Sequence, residues 1–345
     1  MKEKTNIELH ITMLGARGVG KTSLLASVCE QFGRRVKDLY LQLKPDDKTN
    51  RILNDRLAEL QIALGSQIVT GPTGSGDMQT FSFGVGLPFK TPDFNLIFRD
   101  YPGVWVKDKP EEVADYIRKS DDIFWVIDTA ALMTNKGRYC ESVNAIGLIT
   151  NFFKTALTEL PPDQKKLILL VPIKCETWMD KPSDIRDVHL KIEEKWSGFV
   201  NLIKTADSEG SRFAIAITPV QTLGNVIYAY TNEDDVYNPK FVFTRTSSDH
   251  PYQPKNVEQV LNYSLAFLLR RFMSKKKEEM RLVEWMVYRL KEIFGGKPDV
   301  HFGSAVLELV MQQCRDENQG FEILHGKKLL DGTKHFRLGQ AGIHN

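Results

Sequence analysis

Residues 15–22 read Gly15-Ala16-Arg17-Gly18-Val19-Gly20-Lys21-Thr22, which satisfies the phosphate-loop pattern G-x-x-x-x-G-K-[ST]. The flanks are the ones this pattern requires. Ahead of it, residues 7–14 are apolar and alternating enough for a strand, and Ser23-Leu24-Leu25-Ala26-Ser27-Val28 opens a helix behind it. A loop that wraps a phosphate needs backbone torsions and close approaches that a Cβ forbids. Glycine permits them, and the loop amides and helix N-terminus then face the anion. The expected nucleotide-contacting residues are Gly15, Arg17, Gly18, Val19, Gly20, Lys21, Thr22 and Ser23. Lys21 is expected to reach the β- and γ-phosphates, and the Thr22 hydroxyl to ligate Mg²⁺.

At 345 residues the chain is long enough for about two domains. Basic residues exceed acidic ones only slightly, for a formal charge of +2. Charge therefore makes no case for a nucleic acid or membrane surface as principal partner. Cys29, Cys140, Cys175 and Cys314 are widely separated without metal-ligand spacing, as expected of reduced thiols. The residues after Met1 form no apolar leader, and no apolar run approaches the length of a membrane span. A cytoplasmic protein is expected.

The remaining pattern predicts an α/β fold, a doubly wound, mostly parallel sheet with a small C-terminal extension. Residues 51–64 carry Ile52, Leu53, Leu57, Leu60 and Leu64 at helical spacing, predicting a helical insertion within about residues 35–66. The glycine-rich stretch in 66–76 predicts a loop. Residues 80–87 and 93–100 predict an antiparallel strand pair. A helix at 111–119 precedes Ile123-Phe124-Trp125-Val126-Ile127-Asp128, apolar on consecutive positions as in a strand buried on both faces. Helix 141–160, strand 167–173, helix 183–206 and strand 212–218 continue the alternation, which predicts βαβ crossovers. Residues 225–230 and 241–243 suggest short strands, and 256–294 a long helix. Lys327–Leu330, Asp331-Gly332 and 335–338 predict a terminal hairpin. The expected division is a phosphate-loop domain over 1–270 and a C-terminal module over 271–345.

Phe94-Asn95-Leu96-Ile97-Phe98-Arg99-Asp100 is an apolar strand ending in an acid, so Asp100 is the expected Mg²⁺ partner opposite Thr22. With Tyr101-Pro102-Gly103 it forms Asp-x-x-Gly, in which the Gly103 amide senses a γ-phosphate. No second acid follows Asp100, which argues against ATPases that polarise water with an adjacent Glu. At the end of strand 167–173 stands Val171-Pro172-Ile173-Lys174-Cys175-Glu176.

The phosphate loop, Thr73 in a glycine loop, Asp100-x-x-Gly103 and Lys174-x-Glu176 occur in the order found in the Ras-like GTPases of the translation-factor-related (TRAFAC) class, which this chain resembles over about residues 5–270. Pro172-Ile173-Lys174-Cys175-Glu176 and Thr218-Pro219-Val220-Gln221-Thr222 look most like bacterial double-GTPase-type domains. The resemblance implies a GTP/GDP-binding protein that uses Mg²⁺ and acts as a switch or assembly component. It implies that Lys174 lies along the guanine ring, that Glu176 accepts from the base, and that Thr218 with the residues to Gln221 backs it. Thr73 is the switch-one ligand by the same likeness, with Thr70 and Thr80 as alternatives, and Lys21, Thr73 and Gly103 form the catalytic set. The family usually has Asn or Thr at Ile173 and Asp at Glu176. Where relatives often place a water-orienting Gln, the chain has Val104, and Arg17 stands where they carry a small residue. Slow turnover, completed by a protein partner or a second copy, is therefore expected. A nucleotide-dependent scaffold and a phosphate-loop ATPase or kinase are the competing classes, although the clustered arginine lid of a kinase is missing.

Overall fold

A computed structural model describes residues 7–35, 42–62, 68–70, 78–86, 92, 94–103, 105–235, 239–246, 252–274 and 320–330. The chain begins with β1 (Ile7–Leu14), α1 (Lys21–Arg35), β2 (Gln42–Pro45), α2 (Asp47–Ile62), β3 (Ile68–Thr70), β4 (Gln79–Gly86) and β5 (Phe94–Asp100). It continues with α3 (Trp105–Asp108), α4 (Pro110–Lys119), β6 (Asp122–Asp128), α5 (Thr129–Met133), α6 (Cys140–Asn144), α7 (Ile146–Thr158) and β7 (Lys166–Ile173). Then come α8 (Pro182–Lys195), α9 (Ser197–Ala206), β8 (Phe213–Ile217), β9 (Val226–Asn232), β10 (Lys240–Arg245), α10 (Val257–Ser274), β11 (Glu322–His325) and α11 (Lys327–Leu330).

Eight strands form one sheet in the order β11-β8-β7-β6-β1-β5-β4-β2. The centre, from β5 to β8, is parallel, and β4, β2 and β11 join antiparallel at the edges. The apolar run of β6 explains its central place. Phe124 and Val126 enter the core on one face, and Ile123, Trp125 and Ile127 enter the core on the other. Successive side chains of a strand alternate between faces, so a strand covered on both sides must be apolar at every position. On the second face Trp125 lies between Phe153, Trp196 and Phe199, with ring centroids 5.0–6.0 Å away. On the first face α1 packs on α2 and α10. Helix α4 starts at Pro110 with Glu111 and Glu112 in its first turn and ends with Arg118 and Lys119, charges that complement its dipole.

Several details depart from the sequence-based reading. Residues 42–45, within the expected helical insertion, form β2, which the antiparallel ladder to β4 recruits. Ile68–Thr70, within the expected loop, pairs with β10 in a second sheet ordered β3-β10-β9. The single helix expected over 141–160 breaks at Ala145, which is left-handed (φ 51°). The break seats Asn144 against the end of β6, where its Oδ1 accepts from Asp128 N at 2.7 Å. The helix expected over 183–206 divides at Trp196, which is fully buried among the Trp125 rings. Lys327–Leu330 is a helical turn and not a hairpin strand. The preceding residues, Glu322–His325, lie in the expected C-terminal module yet complete the main sheet by pairing with β8. Asp331-Gly332 and 335–338 lie outside the described residues, as does the remainder of the long helix beyond 274.

Candidate nucleotide site

The parallel register pairs Met13 of β1 with Asp100 of β5, so the acid ends its strand beside the point where β1 turns into the glycine loop. Gly20 has φ 117°, and a Cβ there would stand 2.7 Å from Ile173 Cδ1. The loop therefore lies directly against the end of β7, and only glycine fits. The Lys21 ammonium donates to Gly15 O at 3.1 Å and lies 3.5 Å from Asp100 Oδ1, with the Tyr101 ring 5.7 Å away. The Thr22 hydroxyl donates to Asp100 Oδ2 at 2.8 Å. Burial pushes the Tyr101 phenol up, so it stays protonated. Lys21 and Asp100 are 7% and 8% exposed, enclosed enough for the ammonium to attract an anion strongly and for the carboxylate to favour a cation beside it.

Gly103 lies across the loop. A Cβ at Gly103 would be 2.0 Å from Arg17 N and 2.6 Å from the Ala16 carbonyl carbon, so the Asp-x-x-Gly segment touches the phosphate loop backbone to backbone. Arg17 is exposed. Val19 is buried, and the Ser23 hydroxyl accepts from Arg56 Nε of α2 at 2.9 Å. Gly18 is left-handed, at φ 78°. Thr73 lies outside the described residues, Thr70 pairs with Phe241 in the second sheet, and Thr80 sits inside the β4–β5 ladder opposite Arg99.

A hydroxyl and a carboxylate side by side at a helix N-terminus form a hard-oxygen donor set that suits Mg²⁺. Among the described residues no group of three or more His, Cys, Asp or Glu could hold a metal alone. Mg²⁺ usually takes only one or two protein oxygens and completes its shell with water and phosphate, so Thr22 and Asp100 fit it.

The other half of the site surrounds the end of β7. Lys174 adopts a left-handed backbone (φ 58°) and its ammonium pairs with Asp128 Oδ2 at 2.5 Å. A Cβ on Gly20 would lie 3.9 Å from Lys174 Cε, so the lysine stem passes beside the phosphate loop. Glu176 is 4% exposed. Its Oε1 accepts from the amides of Leu223 at 2.8 Å and Gly224 at 3.3 Å, while Oε2 is buried without a hydrogen-bond partner among the described residues. Desolvation raises the Glu176 carboxyl above its usual range, with the Leu223 amide the main opposing influence. Thr218 donates its backbone N–H to Leu170 O at 2.9 Å, and its buried hydroxyl also lacks a partner among the described residues. Gln221 exchanges backbone hydrogen bonds with Lys255 at 3.0 and 2.9 Å.

Asp128 and Arg56 escaped the sequence reading. For Asp128 the signal was present, since it ends an apolar strand at the carboxyl edge of a parallel sheet just as Asp100 does. Arg56 left none, because its contact with Ser23 depends on how α2 packs against α1.

Fold and site together define an α/β chain of phosphate-loop NTPase type. No protein-family model matches it and no curated protein sequence does. Among solved structures it is similar to the S. cerevisiae Ski7 GTPase-like domain bound to GDP and inorganic phosphate, at 15% identity and a TM-score of 0.40. That match covers 79% of this chain and 52% of the other. The same domain bound to GTP matches at 16% identity and a TM-score of 0.36, covering 64% and 44%. The chain spans about half the length of the structures it matches. Among the described residues no helix is long and apolar enough to cross a membrane.

Proposed function

We propose that this chain binds guanine nucleotide with Mg²⁺ and hydrolyses GTP slowly, acting as a switch or assembly component. The observation that carries this reading is the convergence of Lys21, Thr22 and Asp100 within 2.8–3.5 Å at the start of α1. Lys21 places its charge on the terminal phosphates, and the loop amides hold the remaining oxygens. Thr22 and Asp100 hold the metal, which when bound neutralises charge on the phosphates. Gly103 reports the γ-phosphate through its contact with the loop, and Thr73 is proposed as the switch-one ligand. Lys174, Glu176 and Thr218 form the base side, and the nearer likeness to double-GTPase-type domains rests on residues 172–176 and 218–222.

Turnover is slow because the residues after Gly103 lack a group that orients water. Val104 has no polar side-chain atom, and the Trp105 ring carries the Lys109 ammonium 4.2 Å above it. A protein partner or second copy then supplies the water-positioning group and the missing charge. The enclosure of Glu176 favours a second reading, in which the site holds phosphate firmly and reads the base weakly.

Chromatography of nucleotide extracted from the purified protein, followed by calorimetric titration with GTP and ATP in Mg²⁺, tests both. Co-purified guanine nucleotide and a GTP preference of about tenfold or more support the first reading. Equal affinities select the second, and no binding of either nucleotide overturns both.

A further inference from the structure

We propose that Asp128 is a positioning residue for nucleotide binding, holding the Lys174 ammonium so that the lysine stem stays beside Gly20 and supports the base. The inference rests on the nucleotide-binding reading above and adds to it the group on which the base side depends.

Asp128 is held from several directions. Its Oδ1 accepts from Ala131 N at 3.0 Å, capping α5. Its backbone N–H donates to Asn144 Oδ1 at 2.7 Å, and the β6–β7 register places it beside Ile173. The carboxylate thus has one oxygen committed to the helix and the other, Oδ2, aimed at Lys174. Lys174 in turn departs from strand geometry immediately after β7 ends. A left-handed backbone is unfavourable for a residue with a Cβ. Had β7 continued as an extended strand, the side chain at this position would have followed the strand's alternation. The ion pair retains the turn, because both side chains are buried and an ammonium stripped of its carboxylate would be an uncompensated buried charge. A Cβ on Gly20 would meet Ile173 Cδ1 and lie 3.9 Å from Lys174 Cε, so the stem that Asp128 holds runs alongside the phosphate loop toward the base side without forming part of the loop itself.

The test compares the wild-type protein with Asp128→Asn, Lys174→Met and the double variant, titrated in Mg²⁺ with GDP and with inorganic tripolyphosphate, which has no base. Asp128→Asn keeps the Oδ1 acceptor for Ala131 N and the shape, and replaces the Oδ2 acceptor with an amide NH2, so it removes the charge and the bond to the Lys174 ammonium together. We expect it to weaken GDP by about tenfold or more while leaving tripolyphosphate unchanged. Lys174→Met should reproduce that selective loss, and adding Asp128→Asn to it should cost nothing further. Because the double variant removes both charges, it keeps the comparison available if either single variant folds poorly. Equal loss of both ligands in Asp128→Asn, loss of neither, or additive losses in the double variant would overturn the positioning role. Failure of the wild-type protein to bind either ligand would overturn the nucleotide-binding reading, and the positioning role with it.

Discussion

The two halves of the site are built differently. At the phosphate end, Lys21, Thr22 and Asp100 converge with their polar atoms on one another, and the shape is set by glycine backbone in contact with Gly103. At the base end the acids are already engaged. Asp128 is occupied by Lys174 and the α5 cap, and Glu176 by the 223–224 turn. The first arrangement is ready for a polyanion. The second spends Asp128, Lys174 and Glu176 Oε1 on holding loops, and leaves Glu176 Oε2 and the Thr218 hydroxyl buried without a hydrogen-bond partner among the described residues.

The largest effect separating the halves is expected from Lys21→Ala. Charge-assisted bonds contribute ~1.5–3 kcal/mol each, and ~1.4 kcal/mol is a tenfold change in affinity. Losing several of them should weaken GTP by about a hundredfold or more in calorimetric titration. Undiminished affinity would place the ligand elsewhere.

A smaller and more discriminating effect comes from two alanine substitutions. Gly103→Ala drives a Cβ into Arg17 N, and Gly224→Ala drives one to 1.9 Å from Gln253 O at a residue with φ 85°. Overpacking of this kind costs ~1–3 kcal/mol. At Gly103 the loss should appear in triphosphate affinity. At Gly224 it should appear as a lower melting temperature with phosphate binding retained. If both variants lose the same property, the halves are not separable.

The smallest effect concerns pH. Burial raises the Glu176 carboxyl in the folded protein, so in the window above the ordinary carboxylate range the native state keeps a proton that the unfolded chain releases. Stability therefore falls as pH rises through that window. Glu176→Gln keeps an Oε1 acceptor for both amides and has no proton to lose, so its stability relative to wild type should grow with pH across the same window. Denaturant melts at stepped pH measure this, and parallel curves for the two proteins would mean that Glu176 does not titrate as its burial requires.

What could be read in the chain is what local pattern encodes. Residues 7–28 declare strand, glycine loop and helix within a few turns of backbone, and the unbroken apolar run of β6 declares a central strand. Asp100 could be placed beside Thr22 because it ends a strand that follows the phosphate loop, and β5 does pair with β1 there. What could not be read depends on partners remote in sequence. Gln42–Pro45 is a strand only because β4 offers a ladder, and Ile68–Thr70 only because β10 does. Glu176 is expected at the base because its neighbours match a motif, and nothing in that motif announces that the amides of Leu223 and Gly224, supplied by a distant turn, hold one of its oxygens. The break at Ala145 was hidden because residues 141–160 carry helical spacing throughout, and what the break seats is Asn144 against Asp128.

The strand at the far edge also orders events in time. β8 is finished at Ile217, but the strand that closes its outer side begins at Glu322. A chain leaving the ribosome N-terminus first therefore assembles the phosphate loop, the Asp100 strand and the parallel centre while β8 still has an open edge. Pairing across such a separation is slow, and until it occurs the edge is a template on which another chain can dock. The loops of the proposed nucleotide site thus exist before the fold is sealed. A ligand that grips them early would stabilise the unfinished sheet through the interval in which it is most prone to associate.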